Sequence, residues 1–236
     1  MPPARRSVRY GGKSIPFHLT YASRKSLEIA VHPDGAVAVK APLGTNESVI
    51  ERRVRKRARW IDRQILYFAQ FEPRTPRRRF VGGESHLYLG RKYRLKIRPS
   101  DTDGVSLRRG FFHIAAADGR PEHIAALLEK WYRRRAEVYF PRALDKCWQS
   151  FRNKGISKPA LKIRRMKTRW GSLSGNGVMT LNLELIKAPG ECIEYVILHE
   201  LCHLPHPHHG AAFYKLLELS LPDWTKRKRK LEMTLS

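Results

Sequence analysis

The chain has 236 residues, 42% hydrophobic and 29% charged, which fits a globular rather than a disordered protein and leaves room for one large domain or two small ones. Lys and Arg outnumber Asp and Glu by 47 to 21, a formal charge of +26. That excess is more than solubility requires and suits a polyanionic partner such as nucleic acid or a nucleotide, or an acidic substrate. On charge alone an anionic membrane surface fits as well as nucleic acid, and part of the excess is explained by a solvated face. No stretch approaches the roughly 20 apolar residues of a membrane span, so no membrane role is expected. The start lacks the apolar run of a signal peptide. Cys147, Cys192 and Cys202 are widely spaced and read as reduced thiols, so the expected address is the cytoplasm.

The first half is punctuated by turn signals at Pro33-Asp-Gly35, Gly82-Gly83, Leu89-Gly90 and Asp103-Gly104. Between them Leu27–Val31, Ala36–Val39, Tyr93–Ile97 and Phe111–Ile114 read as strands. One helix interrupts them. Ile50, Val54, Ala58, Ile61, Ile65 and Phe68 recur at three- and four-residue steps, and Ser48-Val-Ile-Glu51 offers a capping box. The other faces carry Arg52, Arg53, Arg55, Lys56, Arg57, Arg59 and Arg63, either a solvated face or a stripe for a polyanion.

The second half is more helical. Ile124, Leu127, Leu128, Trp131, Val138 and Tyr139 mark a long helix that continues past Pro141 through Leu144, Trp148 and Phe151, with Gly155 as its stop. Leu161–Ile163, Arg169-Trp-Gly-Ser172 and a turn at Ser174–Gly177 follow. Then Met179, Leu181, Leu183 and Leu185 alternate with Thr180, Asn182 and Glu184, the pattern of a half-buried strand over 178–185. A basic run, Lys226–Lys230, lies near the end.

Chemistry concentrates in His199-Glu-Leu-Cys-His203. Residues four apart share a helix face, so His199 and His203 can grip one ion. Glu200 follows the first ligand by one position, where it can accept a proton from an attacking water without itself being a ligand. Zinc would lower the pKa of that water to about 7. A catalytic zinc needs a third protein ligand and an open position. His206 lies on the same helical face and cannot close a tetrahedron. Pro205 and Pro207 oppose continuation of the helix. The third ligand should follow a turn eased by Gly210, and spacing leaves both His208 and His209. Trp170 and Cys202 read as core residues, and Arg169 as a surface or oxygen-polarising cation.

His199–Phe213, preceded by Arg169-Trp-Gly-Ser172 and Leu181-Asn182, resembles the YgjP-like metallopeptidase family, related to the SprT-like and WLM zincins. The likeness extends over the early strands, the basic helix ending in Trp60-Ile61, the Tyr88–Tyr93 segment and the final helices. It implies His209 as the third ligand. Leu173 and Gly210 stand where relatives often have cysteine and serine, and neither is a ligand.

The sequence therefore predicts an α+β protein: a β-rich N-terminal region with one basic helix (1–118), then a minimal zincin-like catalytic domain (119–236). Its expected function is that of a zinc-dependent metallopeptidase of the HExxH type. One zinc per chain would be held by His199, His203 and His209, with Glu200 as general base and a peptide or protein as substrate. In zincins an edge strand beside the active-site helix receives the substrate, and 178–185 is the expected edge. The alternatives are a metal-dependent nucleoside triphosphate pyrophosphatase and a nucleic-acid-associated protease.

Overall fold

The computed structural model describes residues 4–32, 34–69, 78–152, 157–167 and 169–235, and the side chain of Phe68, the last of the predicted stripe, lies outside what is described. It is a mixed α+β fold whose chain separates into two compact units, Met1–Thr75 and Pro76–Leu235.

In the first unit, β1 (Ala4–Tyr10), β2 (Lys13–Ala22), β3 (Glu28–Val31) and β4 (Val37–Pro42) form one sheet in the order β1-β2-β4-β3. Strands β1 and β2 are additional to the predicted set. Only Val8 is buried in β1, which therefore carries no plain strand signal, whereas β2 alternates at Ile15, Phe17 and Leu19 with Pro16 on its exposed face. Helices α1 (Glu47–Lys56) and α2 (Ala58–Ala69) supply Ile50, Val54, Ala58 and Ile61 to a core with Phe17, Leu19 and Val39. The single predicted helix is thus two, broken at Arg57 (φ −97°, ψ 1°). The stripe survives the break because Ile61 N–H still bonds the Arg57 carbonyl at 2.9 Å. The N-cap is Asn46, whose side chain accepts from Ser48 N–H at 3.0 Å, rather than the predicted box starting at Ser48.

The second unit opens with a sheet of β5 (Ser85–Tyr88), β6 (Arg91–Pro99), β7 (Gly104–Arg108) and β8 (Phe111–Ala116), in the order β5-β6-β8-β7. Leu95, Phe112 and Ile114 on its inner face share a core with Ile124, Leu128 and Trp131 of α3 (Pro121–Trp148). That shared core places the division between units at 75/76. The change from strand to helix pattern near 118 falls inside a single packed body. Helix α3 runs unbroken through Pro141 and stops at Trp148, while Val138 of the predicted stripe is exposed. The predicted stop at Gly155 lies outside the described residues.

A three-stranded sheet follows: β9 (Ala160–Arg164), β10 (Gly171–Leu173) and β11 (Val178–Asn182), in the order β10-β11-β9. The predicted strand over 178–185 is shorter, because Leu183–Lys187 winds into a 3₁₀ turn capped by the Asn182 side chain. Moreover β11 is the central strand, and β10 and β9 are the edges. Helices α4 (Gly190–Cys202), α5 (Ala211–Ser220) and α6 (Trp224–Leu235) complete the unit. The start of α4 is pinned by the β5–β6 turn. Gly90 takes φ +80°, its N–H bonds the Lys187 carbonyl at 2.9 Å, and a Cβ there would meet Pro189 at 2.7 Å. Arg227 and Lys230 of α6 bond Glu194 and Glu191 of α4, so part of the basic Lys226–Lys230 run holds helices together. Among the described residues no helix is long and apolar enough to cross a membrane.

Candidate metal centre

Helix α4 is apolar on nearly every side: Ile193, Val196, Ile197, Leu198 and Leu201 are all buried. Its last turn carries His199 and Glu200, and His203 is its C-cap. The chain then doubles back before α5 begins, which returns His209 to the face of His199 and His203. Gly210, the N-cap of α5, sits at φ −88°, ψ −176° with open space around it, so the bend needs no special glycine conformation, contrary to the expectation.

One ring nitrogen from each of His199, His203 and His209 falls within 4.8 Å of the other two. Neither His206 nor His208 joins this cluster. His206 acts through its backbone, accepting from His203 Nδ1–H at 3.2 Å. That bond fixes the tautomer and leaves the His203 Nε2 lone pair free to coordinate. His199 Nε2 lies 3.0 Å from His209 Nε2, while His199 Nδ1 is buried without a hydrogen-bond partner.

Burial pushes the His199 pKa down to about 4, reinforced by the neighbouring His209 and His203. The His209 pKa is lowered too, first by desolvation and then by His203. Imidazole nitrogens with converging lone pairs are good donors for a dication and poor partners for one another. The donor set fits zinc. The rings are held by packing: the buried Phe213 ring lies 5.0, 4.7 and 4.7 Å from those of His199, His203 and His209.

Glu200 is 6% exposed. Burial raises its pKa to about 7, against the charge of Arg169 and a hydrogen bond from Leu173 N–H. Edge strand β10 thus touches the carboxylate directly. A Cβ at Gly171 would lie 2.8 Å from Glu200 Cγ and Oε1 and 2.9 Å from Val196. Gly171→Ala is therefore expected to cost about 1–3 kcal/mol by overpacking. It should also lower turnover by displacing Glu200, with the metal retained. Denaturant titration alongside metal analysis checks both.

In the sequence Asn182 is a polar strand position and, with Leu181, part of the family resemblance, but no role for its side chain is predicted. It is 3% exposed and holds the approach to β10: its Nδ2 donates to the carbonyls of Met166 and Arg169, each at 2.9 Å. Its N–H donates to the Trp170 carbonyl, also at 2.9 Å. Trp170 packs against the main core, as expected. Arg169 is exposed and lines, with Gly171–Leu173, the three histidines and Glu200, a cleft of about 700 Å³.

The family model for the YgjP-like metallopeptidase domain matches residues 25–234. The chain belongs to this family. It is accordingly a metallopeptidase, with peptides or proteins as its substrate class and a catalytic metal. Nucleotide hydrolysis is not favoured. No curated protein matches the sequence. Two solved metallopeptidase zymogens resemble part of the chain. Abylysin of Pyrococcus abyssi is 22% identical over 37% of this chain and 85% of its own, with a TM-score of 0.34. Jannalysin of Methanocaldococcus jannaschii is 22% identical over 41% and 97%, with a TM-score of 0.36.

Proposed function

We propose that the protein is a zinc peptidase of the HExxH type, with one zinc per chain held by His199, His203 and His209 and with Glu200 as general base. One observation carries this reading: three imidazole nitrogens within 4.8 Å of one another, beside a buried carboxylate. Held by His199, His203 and His209, zinc would supply Lewis acidity and a water nucleophile at neutral pH. Glu200 would accept the proton of the attacking water and return it to the departing amine. Its raised pKa suits both halves of the exchange. Leu173 N–H and Gly171 keep the carboxylate aimed, and the Nδ1–H bond of His203 keeps that ring in its coordinating tautomer.

The substrate would add as a strand along β10. Trp170 and Ser174 bond β11 through Asn182 and Val178. By alternation, the backbone groups of Gly171 and Leu173 face away from β11. With Leu173 N–H engaged by Glu200, the Gly171 N–H and the Gly171 and Leu173 carbonyls remain for a peptide backbone. A cytoplasmic setting is supported by the three cysteines, all buried as thiols. The family lends no support to a nucleic-acid partner.

The test is digestion of a mixed peptide library followed by mass spectrometry. Cleavage should vanish on chelation and return with one equivalent of zinc. A library left intact by the fully loaded protein would refute the reading.

A further inference from the structure

The outer face of the β5–β8 sheet is an open, strongly basic surface that the peptidase reading does not use. Alternation along β6 turns Lys92, Arg94, Lys96 and Arg98 outward, all exposed, while Leu95 is buried inward. In β8 Phe111 and His113 face outward and Phe112 and Ile114 inward. Register sets Arg94 beside Phe111 and Lys96 beside His113, with Arg108 of β7 on the far side of Phe111. The four strands contain no acidic residue. Among the described residues, none of these five cations pairs with a carboxylate. The Lys96 ammonium lies 3.8 Å over the Phe111 ring, and the Phe111 and His113 rings stand 6.3 Å apart.

We propose that this face binds single-stranded nucleic acid, with the β6 cations along the phosphates and Phe111 as a stacking platform for a base. Alternate residues of a strand are about 6.7 Å apart, so β6 presents a straight row of four charges. Such a row follows an extended single strand, whose successive phosphates lie at a similar stride. A flat sheet with an aromatic ring among cations accepts any base by its π-face. Lys96 leaves the ring when a base arrives, and its ammonium is then available to phosphate. Partial desolvation lowers the His113 pKa, as do the charges of Arg108, Lys96 and Arg98.

The other basic features fit less well. The α1–α2 pair interleaves its arginines with Glu51 and Asp62, and Arg227 and Lys230 of α6 are engaged by carboxylates.

The experiment is fluorescence anisotropy of a labelled oligothymidylate on the full chain, between about 50 and 200 mM salt. The wild type should bind, with a log–log salt slope of about −0.7 per neutralised phosphate. Replacing Lys92, Arg94, Lys96 and Arg98 with Gln should flatten that slope by about 2 to 3. Phe111→Ala should weaken binding about 10-fold and leave the slope unchanged. Phe111→Leu keeps apolar volume against loss of folding, and should weaken binding similarly. Zinc content should stay the same in all three, so failure here is separable from failure of the metal site.

Three results would overturn the proposal. One is absence of binding at the lowest salt. Another is binding lost with Arg52, Arg55, Arg59 and Arg63→Gln but kept in the sheet variants. The third is equal affinity for polyglutamate or phosphatidylserine vesicles that ignores Phe111→Ala, which would make the face a general polyanion or membrane surface.

Discussion

Glu200→Gln is expected to leave zinc bound and the fold intact while peptide hydrolysis falls by about 10²–10⁴-fold, the usual contribution of general-base assistance. Glutamine keeps the length and shape that Gly171 and Val196 enclose. Its carbonyl oxygen can still accept from Leu173 N–H. Only the capacity to take a proton is lost. The measurements are kcat on a peptide found in the library digest and metal per chain by atomic absorption. Unchanged kcat with full metal would make Glu200 a packing residue, and the mechanism would have to be given up.

A comparably large effect is expected among the histidines. His199→Ala, His203→Ala and His209→Ala should each abolish stoichiometric zinc. The loss of affinity should exceed the roughly 10–100-fold typical of losing a group that merely supports a ligand. His206→Ala should keep the metal, because its contribution to His203 is a backbone carbonyl that alanine retains. His208→Ala should keep it as well, since that side chain is exposed and outside the cluster. Zinc titration of the five variants checks the set. Loss in His208→Ala with retention in His209→Ala would move the third ligand by one residue.

The centre is legible in the sequence because its geometry is mostly local. Two of the histidines are one helical turn apart, and the prolines after them announce where the helix must stop. His209 is harder, since nothing in the spacing separates it from His208; the resemblance to a family supplies that choice. What surrounds the centre is not local. Asn182, on β11, holds the segment entering β10, and β10 in turn touches a helix nearly thirty residues further on. No periodicity encodes that chain of contacts. The length of the strand over 178–185 differs from the expectation for a related reason. Leu183 and Leu185 are buried as an alternating pattern requires, but they reach the core from a 3₁₀ turn. Burial is the same in both geometries, so hydrophobicity cannot tell them apart. The unit boundary shows a further limit. A change from strands to helices marks a change of element type, whereas a domain is defined by which apolar faces share a core, and those of β6, β8 and α3 share one.

His203 is the C-cap of α4, and its place there has an electrostatic consequence. The peptide dipoles of the helix leave roughly half a negative charge at its last turn, where His199 and His203 both stand. A chain of formal charge +26 repels a dication at long range. The helix end and the neighbouring Glu200 attract it within a few ångströms. Dissolved salt weakens the distant repulsion far more than the close attraction. Zinc affinity should accordingly rise with ionic strength while oligonucleotide affinity at the outer sheet face falls. One protein would then have two ligands whose occupancies move in opposite directions as salt is added.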